Sequence, residues 1–179
     1  IQQHLSAHPT VADHYRYLMI LPEKYYTEYN LWKKVGWILK NTATKITEII
    51  YFKMYVKFSC QSKDKFNWND IPNMWKEWCK SHEDGDLSIK TIYYWANRDN
   101  KKEYDKIKLE TCDSLIERTL VDETDWDIAN LAVHLFGNTN ICIDVVKNTW
   151  YSFKKHRWTI SPAGGDIRIA ISNKLAYIY

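Results

Sequence analysis

Eleven residues near the C-terminal end, Asn148-Thr149-Trp150-Tyr151-Ser152-Phe153-Lys154-Lys155-His156-Arg157-Trp158, constrain the fold more than any other stretch. Most of the chain carries helical periodicity. Here the pattern switches to period two and becomes aromatic, which is the signature of a strand. Ile141 to Val146 reads as a strand before it, with Lys147-Asn148 as a short turn. Lys154-Lys155-His156 can reverse the chain into a third strand over Arg157 to Ile160. The expectation is a small antiparallel meander. Trp150 and Trp158 lie eight residues apart, an even offset that puts both on one face if pairing is regular. The ring of His156 is expected to pack at the corner of the meander and to bond backbone.

The remaining elements read as helices. Trp32, Val35, Gly36 and Leu39 form one stripe, and Ile46, Ile49, Ile50, Tyr51 and Met54 form a second. Ile71, Trp75, Trp78 and Cys79 form a third, with Asn69 or Asp70 as its cap and Pro72 in its first turn. A fourth helix opens at Ser88, with Leu87 placed to staple onto Ile92, and buries Ile89, Ile92, Tyr93 and Ala96. Gly36 in a helix interior costs ~1 kcal/mol against alanine, so its presence predicts a close-packed neighbour. A charged helix over Lys101 to Leu120 reads as a bridge. Thr124-Asp125-Trp126-Asp127 opens another helix as a capping box, and Gly137 closes it. Asp166 caps a last helix after the break at Pro162 to Gly165.

This order predicts a mainly α, α+β chain: a helical module, then a helix, a three-stranded antiparallel meander and a C-terminal helix. The predicted boundaries are a connector over 1–22, a helical module over 23–120 and a second module over 121–179. The chain begins with Ile1 and ends in an unfinished amphipathic pattern, so it reads as a segment of a longer protein. No apolar run reaches the ~18 residues of a membrane span. The four cysteines lack metal-type spacing and fit a reducing compartment such as the cytoplasm.

Charge is unevenly distributed. Glu23 to Lys65 holds nine Lys/Arg against four Asp/Glu, a balance of +5, while the whole chain is only +3. Lys33 and Lys34 are the phosphate-contact candidates of that block. In the meander, Lys154, Lys155 and Arg157 can hold phosphates and Trp158 can stack a base. No glycine begins a phosphate-binding loop, which argues against ATP hydrolysis by this segment. Glu83-Asp84-Gly85-Asp86 has the form of a paired-carboxylate metal motif but lacks a preceding apolar strand, and reads as a polar turn. Cys79-x-x-His82 has no second pair to complete a zinc site. No catalytic residue, metal ligand or cofactor is predicted.

The run NTWYSFKKHRW resembles the "WY-x-F-x-x-HRW" signature found ahead of the superfamily 3 helicase core in primase–helicases of large cytoplasmic DNA viruses, the poxvirus-type replication protein. Upstream, LWKKVGWILKN, then FSCQSKDKF, then a Trp-bearing helix, then LSIKTIYYWANRDN together resemble the primase C-terminal domain of the second type. Trp32, Val35, Gly36, Leu39, Phe58, Ser59, Ser62, Phe66, Trp75, Leu87, Ser88, Ile89 and Trp95 to Asn97 carry that match. The resemblance implies a connecting region between an N-terminal primase and a C-terminal ATP-driven helicase, with ATP and Mg used only elsewhere in the parent chain. It implies single-stranded or primer-template DNA and the flanking domains as partners, a hexameric parent, and the host cytoplasm as location.

Overall fold

The computed structural model describes residues 2–62, 67, 69–80, 87–175 and 177. The paired-carboxylate stretch Glu83 to Asp86, Phe66 and His82 lie outside the described residues, as does the side chain of Cys79. Ten helices and three strands are assigned among the described residues, bearing out the mainly α, α+β expectation. They fall into two compact units, Ile1–Ile107 and Lys108–Tyr179.

The first unit is helical. Its elements are α1 (Gln2–Ser6), α2 (Pro9–Met19), α3 (Lys24–Thr27), α4 (Tyr29–Thr42), α5 (Glu48–Ser59), α6 (Asp70–Lys80), α7 (Ile89–Asp99) and the start of α8 (Lys101–Asp122). Helix α4 is the hub, touching α3, α5, α6 and α7. Its stripe, read from the sequence as Trp32, Val35, Gly36 and Leu39, places Val35, Ile38 and Leu39 at full burial. Gly36 is closely packed as expected. A Cβ on it would lie 2.3 Å from Trp78 Cζ3 and 2.9 Å from Tyr55 Cζ.

Two expectations for this unit are corrected. Helix α5 does not bury Ile46 and Ile49, which are 79% and 54% exposed. Thr44 and Thr47 bond each other and hold a turn before the helix, so Ile46 precedes it. The core stripe of α5 is instead Ile50, Tyr51, Met54, Tyr55 and Phe58. Residues 2–22, within the stretch expected as a connector, form α1, α2 and the turn that follows. Leu5, Val11, Tyr17, Leu18 and Leu21 belong to the core cluster. Pro9 starts α2, where its missing N–H is harmless. Ser88 occupies the N-cap of α7 with extended backbone, but its side chain makes no capping bond.

His14 is buried in this unit, with Nδ1 2.5 Å from the Tyr51 hydroxyl. Burial pushes its imidazole down to about 4. At the end of α7, Asp99 gathers the Arg98 guanidinium at 2.7 Å, the Lys24 ammonium at 2.8 Å and the buried Tyr25 hydroxyl at 2.5 Å. Arg98 above all, then Lys24 and Tyr25, hold the Asp99 carboxyl well below the usual carboxylate range.

The second unit contains the rest of α8, then α9 (Asp125–Phe136), β1 (Asn140–Asp144), β2 (Thr149–Lys154), β3 (Arg157–Pro162) and α10 (Gly165–Leu175). The capping box at α9 is formed: the Thr124 hydroxyl accepts from Asp127 N at 3.2 Å and donates to the Asp127 carboxylate. The same carboxylate, almost fully buried, accepts from Arg118 at 2.7 Å. The strands pair in the order β1-β2-β3, both pairs antiparallel, with an irregularity between Cys142 and Asp144.

Trp150 lies against the turn that enters α10. A Cβ on Gly164 would sit 3.2 Å from its indole, and Gly164 has φ +67. Left-handed backbone disfavours a Cβ by roughly 1–2 kcal/mol in its own right. Gly164→Ala is therefore expected to destabilise the second unit by about 1–2 kcal/mol, read as a lower urea midpoint at unchanged slope. An unchanged midpoint would show that the Trp150 contact yields freely.

Candidate nucleic-acid interface

The hairpin tip joins β2 to β3. Lys154 pairs with Arg157, so the turn contains only Lys155 and His156. Both have positive φ, +48 and +64. A two-residue hairpin turn demands that conformation, and Asn-Gly usually supplies it at least cost. Here two side chains with bulky polar ends hold it instead. Lys155, His156 and Arg157 are all exposed. His156 thus stands out at the second turn position rather than packing into the corner of the meander as expected.

The register decides which side chains share a face. Phe153 is opposite Trp158, Tyr151 opposite Ile160, Ser152 opposite Thr159, and Trp150 opposite Ser161. Trp158 therefore lies on the face of Phe153, and Trp150 lies on the other. The expectation of a common face for the two tryptophans is corrected. An even offset keeps a face along one strand, but a two-residue turn pairs odd with even positions, so parity reverses across it.

The predicted residues separate accordingly. Trp158 and Phe153, 47% and 41% exposed, pack ring to ring at 5.3 Å on one face. Lys154 and Arg157 lie on the other, and Lys155 projects from the tip between them. Lys154 is ion-paired to Asp166 of α10 at 2.5 Å. The Lys154 ammonium first, then the Ser161 and Ser152 hydroxyls, hold the Asp166 carboxyl below its usual range. All three cations at the tip are exposed, and Lys154 is already matched to a carboxylate.

The first unit contains a cavity of about 310 Å³ that the sequence did not reveal. Tyr26, Tyr29 and Trp32 from α3 and α4 line it, with Ser59 at the end of α5, Ser62 beyond it, Asn67 ahead of α6 and Asp70 at its start. Trp32 is fixed in place: its indole N–H donates to Ser59 Oγ at 2.8 Å, and Ser59 Oγ donates to Tyr55 O at 2.8 Å. Its ring stacks on Tyr55 at 5.3 Å.

Residues 15–96, which contain this cavity, match the family model described as Primase C terminal 2 (PriCT-2). That stretch of the chain is similar to the PriCT-2 family. Two viral relatives extend the likeness beyond it. A protein of Acanthamoeba polyphaga mimivirus, given the provisional name of a helicase, is 24% identical over 153 residues, covering 86% of this chain. A protein of African swine fever virus, given the provisional name of a primase, is 25% identical over 148 residues, covering 78% of this chain. The chain spans about 15% of the length of each of these relatives.

Within the matched stretch, the two lysines predicted to contact phosphate differ in setting. Lys33 is half-buried, with its ammonium 4.4 Å from the Trp37 ring centre, while Lys34 is exposed. The family motif residues Trp32, Ser59 and Ser62 carried a signal for the cavity. They read as packing residues in the sequence because helices from α3 to α6 must first be brought together before they enclose a space. No described helix is long and apolar enough to cross a membrane.

Proposed function

We propose that this chain is a non-catalytic connecting region of a viral DNA replication primase–helicase. It supports primer initiation and engages DNA between an N-terminal primase and a C-terminal superfamily 3 helicase. ATP and Mg act in those flanking domains, the parent assembles as a hexamer, and the complex works in the host cytoplasm. The partners of this region are single-stranded or primer-template DNA and the two flanking domains. The observation that carries the DNA-binding reading is the hairpin tip. Its turn holds Lys155 and His156 in backbone that non-glycine residues adopt only at a cost, with Arg157 beside them and the exposed Trp158–Phe153 pair on one flank. Strain maintained at an exposed basic tip is typical of a functional contact. Cations at the tip would hold phosphates, while Trp158 would stack a base on the flank. Lys33 and Lys34 would add phosphate contacts from the PriCT-2 stretch.

Fluorescence anisotropy with single-stranded and primer-template DNA across a salt series tests this. On a single strand, the slope of log affinity against log salt falls by about 0.7 for each phosphate that is no longer neutralised. Lys155→Ala combined with Arg157→Ala is expected to lower the slope by about 1.4 on that scale. Lys154→Ala should have a smaller effect, because Asp166 already neutralises that ammonium. No binding at low salt with micromolar protein would overturn the reading. Metal-dependent nucleotide incorporation by this chain, abolished by Asp84→Asn with Asp86→Asn, would overturn its non-catalytic character.

A second reading, a structural spacer that self-associates without touching DNA, is favoured by a different observation. Ile141, Phe153, Trp158 and Ile160 lie on one sheet face and are each 41–64% exposed. Sedimentation distinguishes the two readings: a monomer that binds DNA excludes the spacer, and a dimer disrupted by Ile160→Lys with no DNA binding supports it.

A further inference from the structure

The cavity in the first unit is independent of the hairpin, and we propose that it binds a nucleobase, with guanine preferred. Its chemistry is divided between flat walls and an acceptor at the rim. Tyr26, Tyr29 and Trp32 supply the flat walls. Trp32 cannot turn away, because Ser59 and Tyr55 hold its indole from two sides. Tyr26 is braced edge-on by Phe58 at 5.7 Å and 83°. Tyr29 is 61% exposed, and its ring lies 5.9 Å from that of Trp32, tilted by 41°. The almost fully buried Ile71 supplies an apolar surface.

Among the described residues no lysine or arginine lines the cavity. The charged group among its described lining residues is the carboxylate of Asp70. Asn67 Nδ2 donates to Asp70 Oδ2 at 2.7 Å, which orients that carboxylate and occupies one of its roughly four acceptor sites. A carboxylate only accepts. The ligand must therefore offer N–H or O–H donors in the plane of a ring that fits between aromatic walls. A sugar would leave the rings unstacked, and an apolar ring would leave the carboxylate unmatched. Guanine offers two adjacent donors, N1–H and the N2 amino group, to one carboxylate. Adenine sets an acceptor, N1, beside its single amino group, and that lone pair repels the carboxylate. The volume, about 310 Å³, lies at the lower end of small-molecule sites and suits one ring system rather than a whole nucleotide. Lys33 and Lys34 directly follow Trp32 on α4, so cations flank the aromatic wall on the surface without entering it.

The base could come from a free nucleotide or from a single strand, and titration calorimetry of the 179-residue chain separates the sources. The probes are guanosine 5′-monophosphate, adenosine 5′-monophosphate, ribose 5-phosphate, a short all-thymine oligonucleotide and the same strand with one central guanine. Guanosine monophosphate, the guanine-bearing strand, or both are expected to bind at least about tenfold tighter than their guanine-free counterparts, the usual worth of a two-point contact to a base. Asp70→Asn should abolish that preference, since it replaces an acceptor with a donor at almost constant shape. Tyr29→Ala should weaken guanine binding by about 5- to 150-fold, the range expected when a base–aromatic stack is removed. Both positions are exposed, and circular dichroism checks that the variants fold. Preference for the guanosine nucleotide alone identifies a free nucleotide as ligand, and preference for the strand alone identifies a base in DNA. Equal affinity for the guanine probes and their counterparts overturns the proposal. So does a guanine preference unchanged in both folded variants. Thymine-strand binding that disappears with Lys155→Ala and Arg157→Ala, but persists in the cavity variants, belongs to the hairpin, so the two readings fail separately.

Discussion

Replacing Gly36 with alanine is expected to destabilise the first unit by about 2 kcal/mol, although alanine is the better helix former by ~1 kcal/mol. The cause is a shortage of space. The new methyl group would meet Trp78 Cζ3 at 2.3 Å, Trp78 Cη2 at 2.7 Å and Tyr55 Cζ at 2.9 Å, all closer than carbon atoms approach. The obstacle is not the free end of a flexible chain. Trp78 is packed edge-to-face against Tyr55 at 5.7 Å and against Trp37 at 6.1 Å, and Trp75 lies beside it at 6.5 Å. Room for the methyl group can come only from moving α6 away from α4 or from expelling the indole. Overpacking of this kind typically costs about 1–3 kcal/mol, and at 2.3 Å the upper part of that range applies before the helix-propensity gain is subtracted. Urea unfolding of Gly36→Ala measures the destabilisation, and the Trp78→Leu background tests its cause. With leucine at 78, alanine at 36 should cost under ~1 kcal/mol, because coupled neighbours are not additive. Equal destabilisation in the two backgrounds would place the strain elsewhere.

Acidification from pH 7 to pH 5 is expected to remove about 2 kcal/mol of stability through His14 alone. The imidazole is pushed down to about 4 by burial, against 6.5 for the free side chain. Between those two values the unfolded chain binds the proton and the folded chain does not. Stability from this group is therefore fully present above about pH 6.5 and is lost as pH falls toward about 4. The Tyr51 hydroxyl beside Nδ1 and the Tyr93 ring 6.0 Å away offer no negative charge to stabilise an imidazolium. Asp99 does not mask this effect, because its depressed carboxyl loses stability only below the ordinary carboxylate range, under about pH 4. Chemical denaturation at pH 7, 6 and 5 gives the slope, and His14→Gln, which keeps a polar partner for Tyr51 without titrating, should flatten it. An identical slope in that variant would assign the pH dependence to other groups.

Helices with long apolar periodicity were legible in the sequence, and so was the meander, because a change of period from 3.6 to 2 survives whatever packs against it. The stripe of α5 was misjudged by one turn. Ile46 and Ile49 have the right spacing for a helix, but the helix begins at Glu48 and their side of it faces outward. The N-terminal helices were hidden by polar residues. Val11 and Leu18 hold a helical spacing of seven, yet the histidines between and around them obscured it, and His14 itself is buried. Basic residues at the hairpin tip were legible as a cluster. Their division between faces was not, since it depends on turn length rather than on residue type. The cavity was beyond sequence reasoning for a related reason: its walls come from four separate elements, and each lining residue taken alone has the character of core or surface.

The shortness of the reversal at Lys155-His156 has a geometric consequence for everything after it. One residue more or fewer between Lys154 and Arg157 would turn β3 over like a ribbon, presenting Trp158 on the side of Trp150 and sending Ser161 away from its bond to Asp166 N at the entrance of α10. The loop length therefore works as a selector of which sheet face carries the outward indole and which carries the guanidinium, and a homologous hairpin one residue longer or shorter would present a different surface.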